Sequence, residues 1–115
     1  MAGGGGKRAR SNDAGVLILT SLASGPKHGY ALARDIEQFA GVKLGPGTLY
    51  GAITRLEEQN LIEPTEHGER RRPYRITAAG RAELTATVRT LGAIAAEGAH
   101  RLGIPLAAPE PGWAL

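Results

Sequence analysis

The stretch GPGTLYGAITRLEEQN, residues 45–60, decides how this chain folds. Pro46 stands where the first turn of a helix tolerates proline, and Leu49, Ala52, Ile53 and Leu56 then recur at helical spacing to make one face apolar. Asn60 marks the end, because asparagine accepts the left-handed conformation of a helix C-terminus better than most residues. The other side and the flanks carry Gly47, Thr48, Tyr50, Gly51, Thr54 and Arg55. Hydroxyl, phenol and guanidinium groups there can bond phosphate oxygens or base edges, and the glycines permit close backbone approach. Glu57 and Glu58 follow one turn later, and carboxylates repel phosphate, so only the N-terminal half of this helix is expected deep in a groove. A plain solvated face is the alternative.

Upstream, Ser11, Asn12 and Asp13 are N-cap candidates. Val16, Leu17, Leu19, Thr20 and Ala23 then predict a helix over about 13–24, stopped by Gly25-Pro26. His28-Gly29-Tyr30 opens a second helix with Leu32, Ala33, Ile36 and Phe39 on one face, ending near Gly41. Tyr30 can meet phosphate beside that helix N-terminus, or can bury its ring and expose its hydroxyl.

Downstream, Leu61 to Glu66 and Pro73 to Thr77 read as two short strands with a proline in each arm, an exposed β-hairpin turning at His67-Gly68. Arg70, Arg71 and Arg72 concentrate three cations at its tip, as phosphate or minor-groove contact requires; a solvated charge run is the alternative. From Ala78 to Leu102 helical spacing resumes, with Thr77 as N-cap, Gly103 at the C-terminus and Pro105 beyond. Such a helix is about 38 Å long, more than a domain this small can cover. Leu84, Val88, Leu91, Ala95, Gly98 and Leu102 form a seam at alternating spacings of four and three, which calls for a partner helix. Ala95 and Gly98 would allow close approach there; packing wholly on the chain's own core is the alternative.

Composition narrows the class. The 115 residues make room for one domain, and 17 Gly with 7 Pro, about a fifth of the chain, fall short of a disordered composition. Zero cysteines exclude a disulfide framework and thiolate chemistry. The net charge of +3 is local, with Lys7, Arg8 and Arg10 in a Gly-rich opening and the arginine triplet further on. That opening, residues 1–12, reads as a disordered basic arm, and 104–115 as an irregular Pro-rich tail holding Trp113. No apolar run approaches the ~20 residues of a membrane span. Basic residues ahead of Val16–Leu22 suggest a secretory signal, but Asp13 interrupts it and the helix needs those residues, so a cytoplasmic location is expected. His28, His67 and His100 are scattered, no carboxylates stand at ligand spacing, and Ser11, Ser21 and Ser24 lack a paired base. No enzyme activity, metal or cofactor is expected.

Three helices followed by a hairpin make a mainly α fold, the winged helix-turn-helix, whose third helix enters the major groove. The expected division is 13–77 for this domain and 78–103 for a C-terminal dimerisation helix. Leu17 to Leu22 followed by Gly25-Pro26-Lys27-His28-Gly29-Tyr30, then Gly45-Pro46-Gly47-Thr48-Leu49-Tyr50 and Arg55-Leu56-Glu57, resemble the PadR family of transcriptional regulators. Leu61-Ile62 and Arg71-Arg72-Pro73-Tyr74-Arg75-Ile76-Thr77-Ala78-Ala79-Gly80-Arg81 continue the resemblance, which spans about 14–103. It implies a homodimeric repressor that reads operators with the helix carrying Thr48 and Tyr50, and release from DNA, as in many relatives, when a small hydrophobic effector enters near the dimer interface. Gly45 departs from a frequent Ser and Asn60 from a frequent Gly, both mildly; Gly51 leaves the exposed face without a side chain to read bases. The expected partners are a double-stranded, pseudo-palindromic DNA operator and a second copy of the chain. A ligand-binding or protein-interaction module with the same fold but no DNA binding is the alternative.

Overall fold

Asp13 starts the first helix by accepting hydrogen bonds at its carboxylate from the backbone N–H of Gly15, at 2.8 Å, and of Val16. The computed structural model describes residues 13–65 and 73–106. The arm at 1–12, the hairpin tip with His67, Gly68, Arg70, Arg71 and Arg72, and the tail from 107 with Trp113 lie outside the described residues. In chain order the elements are α1 (Ala14–Leu22), α2 (Gly29–Ala40), α3 (Pro46–Glu58), β1 (Ile62–Pro64), β2 (Tyr74–Ile76) and α4 (Ala78–Leu102).

Helix α1 is the centre of the fold, touching α2, α3, α4 and β2. Its burial departs from the predicted stripe. Ile18 and Leu22 are fully buried with Leu17 and Leu19, whereas Val16 and Ala23 are half-covered and Thr20 is exposed, its hydroxyl donating back to the Val16 carbonyl. A helix covered on several sides needs apolar residues around most of its circumference, so a single stripe understates it. The helix also stops at Leu22, and Ala23 to Gly25 continue as turns.

Helix α2 buries Leu32 and Ile36 and ends on Gly41 in the left-handed conformation (φ 69°). Phe39, expected on the same buried face, is exposed with Ala40, because the core ends before the last turn of α2. The Ser21 hydroxyl, 1% exposed, donates to Asp35 at 2.6 Å and so satisfies the one buried polar side chain of the described residues.

Helix α3 buries Leu49, Ala52, Ile53 and Leu56, as its spacing predicts, with Pro46 in its first turn. Asn60 adopts φ 63°; its N–H reaches the Glu57 carbonyl and that of Leu61 the Leu56 carbonyl, both at 2.9 Å, a Schellman closure. The strands pair antiparallel, Ile62 with Ile76, Glu63 with Arg75 and Pro64 with Tyr74. Ile62 and Ile76 face the core, while Arg75 and Glu63 form an exposed ion pair at 2.8 Å. Lys27, between α1 and α2, adds a bridge to Tyr74 through reciprocal backbone bonds of 3.0 and 2.9 Å.

Thr77 caps α4: its hydroxyl accepts from the Gly80 N–H and donates to the Asn60 carbonyl at 2.8 Å. Gly80 is required where α4 starts beside the link from α3 to β1, since a Cβ there would run into the Leu61 carbonyl oxygen. Leu84 is the last residue of α4 to join the main core.

Candidate nucleic-acid interface

Helix α3 is oriented by its four buried side chains, which turn Gly47, Thr48, Tyr50, Thr54 and Arg55 to solvent. At about 100° per residue, Tyr50 and Arg55 fall on opposite flanks and Gly47 and Thr54 between them. The Tyr50 phenol lies over the first turn of α2, held there because Gly29 has no side chain: a Cβ on Gly29 would collide with the phenol. Tyr30 is next in sequence and 72% exposed. The fold therefore sets Tyr30 one residue beyond the point where the Tyr50 phenol rests, and the alternative of a buried Tyr30 ring does not hold.

The Thr54 hydroxyl donates to the Tyr50 carbonyl at 3.0 Å, so while that bond is made it presents only lone pairs outward. It can accept from a base amino group but not donate to a phosphate. Thr48 and Gly47 stand in the exposed first turn of the helix, where backbone N–H groups favour anions. Arg55 leans back so that its guanidinium lies 3.9 Å from where a Cβ on Gly51 would be. The opening left at Gly51 is thus flanked by a cation. Arg55 also borders a cleft of about 220 Å³ with Asp13, Gln59 and Glu83, away from Tyr50.

The base of the hairpin is tied to this unit. Thr65 donates to the Pro73 carbonyl through both its N–H, at 2.9 Å, and its hydroxyl, at 3.2 Å, which carries the pairing beyond β1 and β2 towards the tip. Arg70, Arg71 and Arg72 lie outside the described residues. Residues that sequence reasoning missed are Gly29, Arg34 and Lys43. Arg34 donates to the Tyr30 phenol oxygen at 3.4 Å, a bond that pushes the guanidinium pKa further above its ordinary value. The four-residue spacing from Tyr30 to Arg34 was the available signal, whereas Gly29 becomes intelligible only through Tyr50.

Along α4 the seam residues are spread out rather than brought together. Leu84 is buried in the chain's own core, Leu91 and Gly98 are half-covered, Ala95 is exposed, and Val88 and Leu102 are 54% and 73% exposed. Ile94, off the expected seam, is also 63% exposed. Among the described residues no helix is long and apolar enough to cross a membrane, and no group of three or more potential ligand side chains could hold a metal.

Three helices, a two-stranded hairpin and a long C-terminal helix, with a hydrogen-bonding face on the third helix, define a winged helix-turn-helix protein of the kind that regulates transcription. Residues 18–86 match the Transcriptional regulator PadR-like family, and the chain belongs to that family. It is 39% identical over 83 residues to the transcriptional regulator Rv3488 of Mycobacterium tuberculosis, covering 70% of this chain and 77% of that protein. It is 54% identical over 72 residues, 63% of the chain, to an uncharacterised 37.1 kDa protein in transposon TN4556 of Streptomyces fradiae, of whose length the match spans 21%. A crystal structure of a PadR family transcription regulator from hypervirulent Clostridium difficile superposes with a TM-score of 0.66 at 26% identity, covering 77% of this chain and 96% of that one. These relatives are regulators rather than enzymes where their role is named, and the fold supports a DNA-binding regulator.

Proposed function

We propose that the chain is a cytoplasmic transcriptional repressor that binds a pseudo-palindromic double-stranded operator as a homodimer. The observation that carries this reading is the outward face of α3, where Gly47, Thr48, Tyr50 and Thr54 stand exposed on a helix fixed by four buried side chains. In this reading 13–77 is the reading unit, with α3 in the major groove, Tyr30 and Arg55 at its edges, and Arg70, Arg71 and Arg72 on phosphates beyond. Residues 78–103 join two copies through Val88, Leu91, Ala95, Gly98 and Leu102, with Leu84 at the root of the seam. The uncovered apolar residues of α4 support that pairing, since an isolated helix of this kind leaves them in water. Symmetry then sets half-sites about one helical turn, or a multiple, apart. A small hydrophobic effector entering near the joined helices would release the DNA.

Selection of bound duplexes by the purified protein tests this: two-fold symmetric sequences are expected. With six to eight phosphates neutralised per dimer, log affinity falls against log salt with a slope of roughly −5 to −7. A flat salt response, or recovered duplexes without symmetry, would overturn the assignment.

A further inference from the structure

A cleft of about 520 Å³ opens on the outer side of α2, walled by Tyr30, Arg34, Glu37 and Gln38 and, from the link into α3, by Lys43 and Leu44. Its position is set by α3 at both ends. Tyr30 follows Gly29, which lies under the Tyr50 phenol, and Leu44 precedes the Gly45 cap of α3. The Arg34 guanidinium carbon lies 5.8 Å from the centre of the Tyr30 ring, and its Nη1 donates to the phenol oxygen. That donation leaves the phenolic proton available to a second acceptor. Tyr30, Arg34 and Lys43 therefore present donors to the cleft, with one carboxylate, Glu37, beside them.

We propose that this cleft seats a phosphodiester of the DNA backbone at the rim of the groove that α3 enters, with Arg34 and Lys43 as its cations. The inference rests on the DNA-binding reading above. Packed helices lie about 8–10 Å apart and the major groove is about 12 Å wide, so when α3 is centred in the groove α2 lies just past its edge, and the end of the cleft next to α3, at Tyr30 and Lys43, meets the flanking phosphate strand. The charged and amide walls, Arg34, Glu37, Gln38 and Lys43, are all exposed, which suits a backbone laid across a surface better than an enclosed small anion. Glu37 opposes the contact and tunes it down. Phosphate contact fixes register without reading sequence, so this cleft contributes to affinity and not to preference.

The test uses the full chain and a duplex recovered by the selection described above, with a random-sequence duplex of equal length alongside. Arg34→Ala/Lys43→Ala is expected to weaken binding to both duplexes about tenfold and to make the salt slope shallower by about 1 per protomer. The recovered sequence preference stays unchanged. Glu37→Gln, which keeps the side-chain shape, is expected to tighten binding about two- to fivefold, the size of one exposed charge interaction. These residues are exposed, so circular dichroism should report unaltered folding in both variants. An unchanged salt slope in the double variant, or no gain from Glu37→Gln, overturns the inference while leaving the DNA-binding reading intact. Failure of the unaltered chain to bind any duplex overturns that reading and this inference with it.

Discussion

Gly29 and Tyr50 are 21 positions apart, yet the second can lie where it does only because the first has no Cβ. Gly29→Ala should push the phenol away from the start of α2 at a cost of no more than about 1 kcal/mol, because the half-exposed Tyr50 side chain can swing aside. Removing the obstruction with Tyr50→Ala in the same chain should recover most of that loss. Urea unfolding of the four chains of this cycle measures the coupling, and strictly additive effects would mean that the two residues do not touch. The sequence marks Gly29 only as part of a helix opening, because local spacing carries no information about a neighbour in another element. Thr48, Tyr50 and Thr54 were legible as an exposed set, since α3 has one apolar face and they are off it. What spacing does not disclose is that Thr54 has already committed its proton to the Tyr50 carbonyl, or that Arg55 leans over Gly51.

Among the elements, α3 follows its sequence signal closely in face and ends, α4 follows it in its ends, and α1 does not. A helix with a single apolar face declares itself by periodicity, whereas α1 is wrapped by four neighbours and its Ile18 and Leu22, both fully buried, sit outside the stripe its spacing suggests. Ile18→Ala should accordingly cost about 2–5 kcal/mol of stability, a core truncation rather than a surface change. The glycines of α4 divide in the same way. At Gly80 a Cβ would meet the Leu61 backbone, which cannot give way as a side chain can, so Gly80→Ala should lower the thermal midpoint sharply. At Gly98 a Cβ would meet nothing within the protomer. In an uncovered helix Gly98→Ala would stabilise by about 0.5–1 kcal/mol, but where two helices approach closely the added methyl weakens their association. Sedimentation velocity is expected to show Gly98→Ala dissociating at higher concentration than the unaltered chain; tighter association would place Gly98 outside the seam.

For the whole molecule, the proposed pairing through α4, where Val88, Ile94 and Leu102 stand exposed, would tie stability to association. The thermal midpoint should rise with protein concentration, since a ligand of the folded state, here a second copy, stabilises it by mass action. Leu102→Asp should abolish that dependence and leave a folded monomer, because Leu102 lies well beyond the main core. A concentration-independent midpoint in the unaltered chain would argue against the dimer. The reciprocal backbone bonds between Lys27 and Tyr74 fasten the root of the hairpin to the segment that leads into α2. The base of the hairpin and the helices it is fastened to therefore behave as a caliper with a locked joint, so under the proposed DNA-binding reading a duplex would have to fit a gauge set by the protein.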